Sequence, residues 1–276
     1  MLNLNLINLH NSDIGYTMSI FPDGEPYIKL EEFSRREEIN VITRITCPFE
    51  LFRLMQVGNI LNRHGVVWNV YITYLMSSRM DRVMSFQEPF SLEIVANCIN
   101  GLKPASVELL CPHSDRVELL IPNCSYTEYP FSYKELQNYD YICYPDKGAA
   151  ERYKHLVEDQ SKILTCTKVR DPQTGQLSGF QVSNPETYKG SGKSICVIDD
   201  LCDGGGTFIG IAQKLRELDP NVKLSIKITH TIQPLGLRKL LDHYDHIETT
   251  NSYKDWFENE KLKVVDVCSK PRMLCC

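Results

Sequence analysis

Residues 195–207 read ICVIDDLCDGGGT, and this run restricts the fold more than any other stretch of the chain. Ser194–Ile198 is apolar and rich in β-formers, the pattern of a buried strand. Two adjacent carboxylates, Asp199 and Asp200, follow it. Asp203 and three glycines, Gly204, Gly205 and Gly206, then lead into Thr207 and a helical pattern. A buried strand, a glycine-rich turn and a helix form the repeating unit of an α/β sheet. Backbone N–H groups of such a loop, with the positive end of the next helix, bind phosphate. The carboxylates cannot serve a phosphate directly. They suit sugar hydroxyls, or a metal that bridges to phosphate oxygens. Together these parts describe a pocket for a ribose phosphate. The bland alternative is an acidic turn with a flexible glycine linker, and it leaves the apolar strand and the acid pair unexplained.

The rest of the chain repeats the alternation. Leu51–Arg63 places Leu51, Leu54, Met55 and Leu61 on one helical face, and Gly65 stops that helix. Val66–Leu75 reads as a buried strand. Ser91 reads as the N-cap of a helix carrying Ile94, Val95, Cys98 and Ile99. Strands follow at Val107–Cys111, Tyr139–Tyr144 and Lys162–Arg170, with a helix expected over Gly148–Glu158. After the glycine loop come helix Thr207–Leu218, strand Leu224–Thr231, helix Leu235–Tyr244 and strand His246–Thr250. Asp171–Phe180, DPQTGQLSGF, is turn-rich and reads as a hairpin or flap. Strands alternating with helices imply mainly parallel sheets flanked by helices, with ligands beyond the carboxyl ends of the strands.

Length and charge bound the partners. The 276 residues suffice for one large domain or two small ones, and 42% hydrophobic content can build a core. A net charge of −5 argues against a nucleic-acid backbone binder. No apolar run reaches the roughly 20 residues that span a bilayer, and Met1–Asn8 lacks the pattern of a secretory signal. The 11 cysteines are scattered with no CxxC pair, which reads as reduced thiols in a cytoplasm. Cys275 and Cys276 read as two free terminal thiols. There is no zinc spacing, no GxSxG elbow and no Walker A motif.

The glycine run resembles the PRPP-binding motif shared by type I phosphoribosyltransferases and PRPP synthetases. The likeness to the ribose-phosphate pyrophosphokinase (PRPP synthetase) family extends from Phe21 to about Thr250. The resemblance implies two α/β domains of the phosphoribosyltransferase type, 1–125 with ATP-binding elements and 126–276 with the ribose-phosphate site. It allows the tail to pack back on the first domain. FPDGE, Phe21–Glu25, resembles the family's N-terminal ATP signature, so Phe21, Asp23 and Glu25 are expected to contact adenine and ribose across a subunit interface. Read locally, FPDGE is a turn before a strand. Ser77–Asn97 resembles the ATP-binding loop and its helix, with Arg79, Asp81 and Arg82 on an Arg-Gln-Asp-Lys pattern in which Met80 replaces Gln. His113, in CPHSD, falls at a metal-associated His that also lies near ATP. Asp146, in YPDKGAAERY, falls at an Asp that positions metal and ribose, and Ala149 replaces a glycine there.

Lys168 and Arg170, in TKVRD, match the family's catalytic Lys-x-Arg at the root of a flap. Cations at alternate strand positions point the same way and can clamp the charge that develops on a transferring diphosphate. The resemblance thus implies Mg²⁺-dependent transfer of diphosphate from ATP to the anomeric hydroxyl of ribose 5-phosphate. It places ribose hydroxyls on Asp199 and Asp200 and the distal phosphate on Asp203, Gly204, Gly205, Gly206 and Thr207. It also implies a homo-oligomer, a dimer or hexamer. Where Gly204 stands the family has a threonine. Three rivals stay open: the same chemistry on ADP-ribose, as in some phage-encoded relatives that rebuild NAD; a phosphoribosyltransferase that consumes PRPP; and a non-catalytic synthetase-associated regulator.

Overall fold

The computed structural model describes residues 1–170 and 177–269. Asp171–Gln176, the first part of the expected flap, and Cys275 and Cys276 lie outside the described residues. The chain divides into two compact units, Met1–Pro130 with Asp266–Cys276, and Phe131–Val265.

The first unit holds strands β1 (Leu2–Asn5), β2 (Tyr16–Ile20), β3 (Pro26–Leu30), β4 (Ile39–Ile45), β5 (Trp68–Leu75), β6 (Ser106–Leu110) and β7 (Cys124–Thr127). Its helices are α1 (Pro48–Arg63), α2 (Ser91–Leu102) and α3 (Arg116–Leu120). Five strands form a parallel sheet in the order β1-β4-β5-β6-β7. Helices pack on the sheet, and Ile39, Leu54, Leu61, Ile72 and Ile99 are fully buried. α1 ends where Gly65 takes a positive φ of 67°, which closes the turn into β5. Ser91 is the first residue of α2 rather than its cap. Phe90 holds the cap position without a side-chain hydrogen bond, and Leu92 N–H instead donates to Met80 O at 3.2 Å. FPDGE is the turn of the antiparallel β2–β3 hairpin, closed by Phe21 N–H to Glu25 O at 2.9 Å and by Gly24 at φ 92°. The tail packs on this unit, with Asn5 Nδ2 donating to Cys268 O at 2.7 Å.

The second unit holds helix α4 (Tyr133–Leu136), strand β8 (Tyr141–Tyr144), helix α5 (Lys147–Tyr153), strands β9 (Ile163–Arg170), β10 (Leu177–Val182) and β11 (Ser194–Cys202), helix α6 (Gly206–Leu218), strand β12 (Lys223–Thr231), helix α7 (Pro234–His243) and strands β13 (His246–Thr250) and β14 (Leu262–Val265). Its sheet runs β10-β9-β8-β11-β12-β13-β14, parallel throughout except for β10. The helix expected over Gly148–Glu158 is shorter, because a 3-10 turn at Lys154–Leu156 ends it after α5. Strand β11 runs past the apolar stretch to include both aspartates and Cys202, since Asp199 and Leu201 still pair with β12.

Candidate active site

β8 hands the chain through α5 to β9 on one side, whereas β11 hands it through α6 to β12 on the other. The crevice between the carboxyl ends of β8 and β11 is therefore the topological switch point, where open α/β sheets bind ligands. Asp146 lies at the end of β8, and Asp199, Asp200 and the glycine loop lie at the end of β11.

The loop is built by close backbone packing. Gly205 is the cap of α6 at φ 78°, a conformation that disfavours any side chain. A Cβ there would stand 3.2 Å from Gly236 O, and a Cβ on Gly236 would stand 2.4 Å from Asp203 O. The first turn of α7 thus seats directly on the loop, and Gln233 Nε2 holds Asp203 Oδ1 at 2.7 Å. Gly204 differs: a Cβ there meets nothing within 4 Å, so a side chain would fit. Gly236→Ala is expected to push the loop off α7 and to weaken binding of any phosphate ligand the loop holds at least about tenfold, since small misplacements of positioning groups cost that much or more. Calorimetric titration checks this, and wild-type affinity in the variant would refute the seating argument.

The two aspartates are not equivalent. Asp200 is 3% exposed, and Arg152 Nη1, from the last turn of α5, donates to its Oδ2 at 2.6 Å. Asp199 is half-buried. Burial, then the charges of Asp200 and Asp146, push its carboxyl well above the usual carboxylate range. Asp146 caps α5, its Oδ1 accepting from Ala149 N–H at 3.0 Å. The donor is backbone, so alanine in place of glycine at 149 does not remove it.

Strand β9 runs past β8. Cys143 pairs with Leu164 and Tyr144 with Thr165, after which β8 stops and β9 continues to Arg170. Lys168, four residues beyond Leu164, stands about 13 Å further along the strand at some 3.3 Å per residue. It pairs with Phe180 of β10 and is exposed. The expected hairpin is present as the antiparallel β9–β10 pair, with Arg170 opposite Leu177.

In the first unit, Phe21 is 49% exposed and edge-on to Tyr27 at 5.8 Å. Asp23 Oδ1 accepts from Glu25 N–H at 3.2 Å, and both side chains face solvent. Arg79 and Arg82 are exposed, but Asp81 is buried. Its carboxylate accepts from Arg82 Nε at 2.7 Å and from Ser114 Oγ at 2.7 Å, while Arg116 Nη1 donates to its carbonyl at 3.0 Å. Asp81 thereby ties its loop to the turn that carries His113. Arg82, then Ser114, hold the Asp81 carboxyl well below the usual range despite burial. A depressed folded pKa means that stability is gained above the unfolded value of about 4 and lost as pH falls below it. Asp81→Asn is expected to cost about 1–2 kcal/mol at pH 7 and to flatten the loss of stability between about pH 4 and 2. Urea melts at both ends of that range check it; parallel wild-type and variant curves would contradict it.

Among the described residues no group of three or more His, Cys, Asp or Glu side chains could hold a metal, and no helix is long and apolar enough to cross a membrane.

No family model matches the chain. Its sequence is 27% identical over 274 residues to the ribose-phosphate pyrophosphokinase of Pyrococcus abyssi, covering 96% of this chain and 92% of that one. It is 25% identical over 266 residues to the enzyme of the same name from Sulfurisphaera tokodaii, covering 90% and 87%. The chain is thus similar to ribose-phosphate pyrophosphokinases along most of its length. The fold agrees: phosphoribosylpyrophosphate synthetase from Mycobacterium smegmatis superposes with a TM-score of 0.76, at 18% identity, over 94% of this chain and 88% of that one.

Three residues that pack at this candidate site, Arg152, Gln233 and Gly236, escape a reading of the sequence. Arg152 reads as an ordinary polar helix residue, and Gln233 and Gly236 as the start of a helix. A signal exists only for Gly236, as a glycine in the first turn of an amphipathic pattern, and nothing local says what it must approach.

Proposed function

We propose that this chain transfers a diphosphate from ATP to the anomeric hydroxyl of a ribose phosphate, with ribose 5-phosphate giving PRPP and AMP. The observation that carries the reading is the crevice between β8 and β11, where Asp146, the half-buried Asp199 and the phosphate loop converge. In the step, the anomeric oxygen bonds to the β-phosphorus of ATP. The bond from that phosphorus to the oxygen it shares with the α-phosphorus breaks, AMP leaves with that oxygen, and the hydroxyl proton passes to solvent. Lys168 and Arg170 supply cations for the charge on the transferring group. The Asp199–Asp200 pair receives the ribose hydroxyls, and backbone N–H groups of Asp203–Thr207 with the α6 N-terminus hold the distal phosphate. Phe21, Asp23, Glu25, Arg79 and Arg82 serve ATP, the hairpin residues reaching a neighbouring subunit of a homo-oligomer. The thiol-rich chain works in the cytoplasm.

Mg²⁺ fits as an ion that arrives with ATP. It binds through one or two carboxylates and substrate phosphates rather than an all-protein cage, which suits a chain whose described residues offer no three-ligand cluster. Each unit, taken by itself, offers one candidate protein contact for such an ion, His113 in the first and Asp146 in the second, and a bound ion would neutralise phosphate charge.

One observation favours a second acceptor. The family's threonine is absent at Gly204, and the space a side chain would fill is open. A phosphodiester such as that in ADP-ribose carries less charge and a bulky continuation, so it loses less from a missing hydroxyl and can use the room. One neutral hydrogen bond is worth about 0.5–1.5 kcal/mol, so Gly204→Thr is expected to shift preference toward ribose 5-phosphate by up to about tenfold. The test is AMP release from MgATP with ribose 5-phosphate and with ADP-ribose, read as kcat/KM with product masses. Product from ribose 5-phosphate alone removes the second reading; product from neither removes the first as well.

A further inference from the structure

Nothing in the sequence distinguishes Asp199 from Asp200, and both are expected to receive sugar hydroxyls. The fold separates them. Asp200 is 3% exposed, and its Oδ2 is engaged by Arg152 at 2.6 Å. A carboxylate so enclosed has little surface for a ligand. Arg152 is itself held. Its guanidinium lies 5.8 Å from the centre of the Tyr153 ring, and the carbonyl of Tyr153 accepts from the buried Tyr144 hydroxyl at 2.9 Å.

The source of Arg152 matters as much as its target. Helix α5 begins at its cap, Asp146, and ends at Tyr153. Asp146 and Arg152 are six residues apart, about 9 Å along the helix at 1.5 Å per residue. One short rigid element therefore fixes the carboxylate at the end of β8 and pins the one at the end of β11. Electrostatics give the pin a purpose. Asp146, Asp199 and Asp200 converge on a crevice whose ligand is anionic, and three uncompensated carboxylates would oppose it. A guanidinium on the most enclosed of the three removes one charge where desolvation is worst.

We infer that Arg152 is a positioning residue of the ribose-phosphate site: it holds Asp200 as a buried counter-ion, and Asp199 alone receives the sugar hydroxyls. This rests on the function proposed above.

The test uses the full chain with Arg152→Met, Arg152→Lys, Asp199→Asn, Asp200→Asn and the double variant Arg152→Met/Asp200→Asn. Each is measured for acceptor KM, ATP KM and kcat, for calorimetric binding of ribose 5-phosphate and ADP-ribose, and for thermal midpoint. Arg152→Met should raise acceptor KM and acceptor Kd at least about tenfold, with ATP KM within about twofold and kcat reduced less than about fivefold. Arg152→Lys keeps the charge and should recover most of the loss. The double variant should bind acceptor better than Arg152→Met, because a neutral amide in place of the Asp200 carboxylate needs no counter-ion. Asp199→Asn should weaken acceptor binding more than Asp200→Asn. A fold defect without this role would lower the midpoint and raise both KM values together. The inference is overturned if Arg152→Met leaves acceptor affinity within twofold, if it raises both KM values alike, or if Asp200→Asn is the more damaging of the two aspartate changes. Wild-type protein that neither binds nor turns over either acceptor overturns the parent reading, and this one with it.

Discussion

Alanine at Lys168, or at Arg170, is expected to cut turnover at least about 100-fold while ATP affinity changes less than about threefold. Removing one preorganised donor to a developing charge has that size of effect, because the lost interaction is strongest in the transition state. The placement supports this reading. Lys168 lies on the part of β9 that outruns β8, at the carboxyl-end side of the sheet where the glycine loop also lies. Arg170 is two positions further along the same strand, at its last residue. Steady-state kinetics with a separate ATP titration decides it. Near-normal kcat in both variants would remove the cations from the mechanism.

The second large effect concerns stability. Glu248→Ala is expected to cost about 3 kcal/mol, the range for stripping one partner from a buried ion pair. Lys227 and Glu248 are directly opposed on β12 and β13, and each is 2% exposed. Their side chains form a salt bridge, which Glu135 extends to Lys227 at 2.8 Å and Lys263 to Glu248 at 2.8 Å. Without Glu248 the enclosed ammonium keeps only a half-exposed partner. Lys227 also pairs with Ile198, one residue before Asp199, so the cluster sits in the row that sets the register of β11 at the site. Replacing both charges, as Lys227→Met/Glu248→Leu, should cost less than Glu248→Ala alone. Urea unfolding checks this; a single variant within about 0.5 kcal/mol of wild type would show the cluster to be idle.

Sequence reasoning reaches the elements whose evidence is local. The β11 strand, the glycine loop and α6 declare themselves by an apolar run, turn chemistry and helical spacing, and β13 is legible at His246–Thr250, the range it occupies. Gly65 marks the end of α1 because a positive φ has a residue signature. What escapes depends on distant partners. Ser91 looks like a cap, but Leu92 N–H finds Met80 O instead, and no rule of helix ends anticipates that loop. Lys227 and Glu248 are charged residues buried within their strands, and the β12–β13 register shows that each answers the other. Arg152 and Asp200 are 48 residues apart. Strands β1, β4, β7 and β14 carry no comparable signal, because short or mixed segments become strands only once neighbours pair with them.

In the proposed reaction the sugar attacks the β-phosphorus of ATP, not the γ. Phosphorus NMR of a reaction of MgATP with ribose 5-phosphate follows every phosphorus at once. The expected spectrum gains AMP and two coupled diphosphate signals on the sugar in equal amounts, as ATP disappears. Formation of ADP with a sugar carrying one added phosphate, or of ADP and inorganic phosphate, would contradict it.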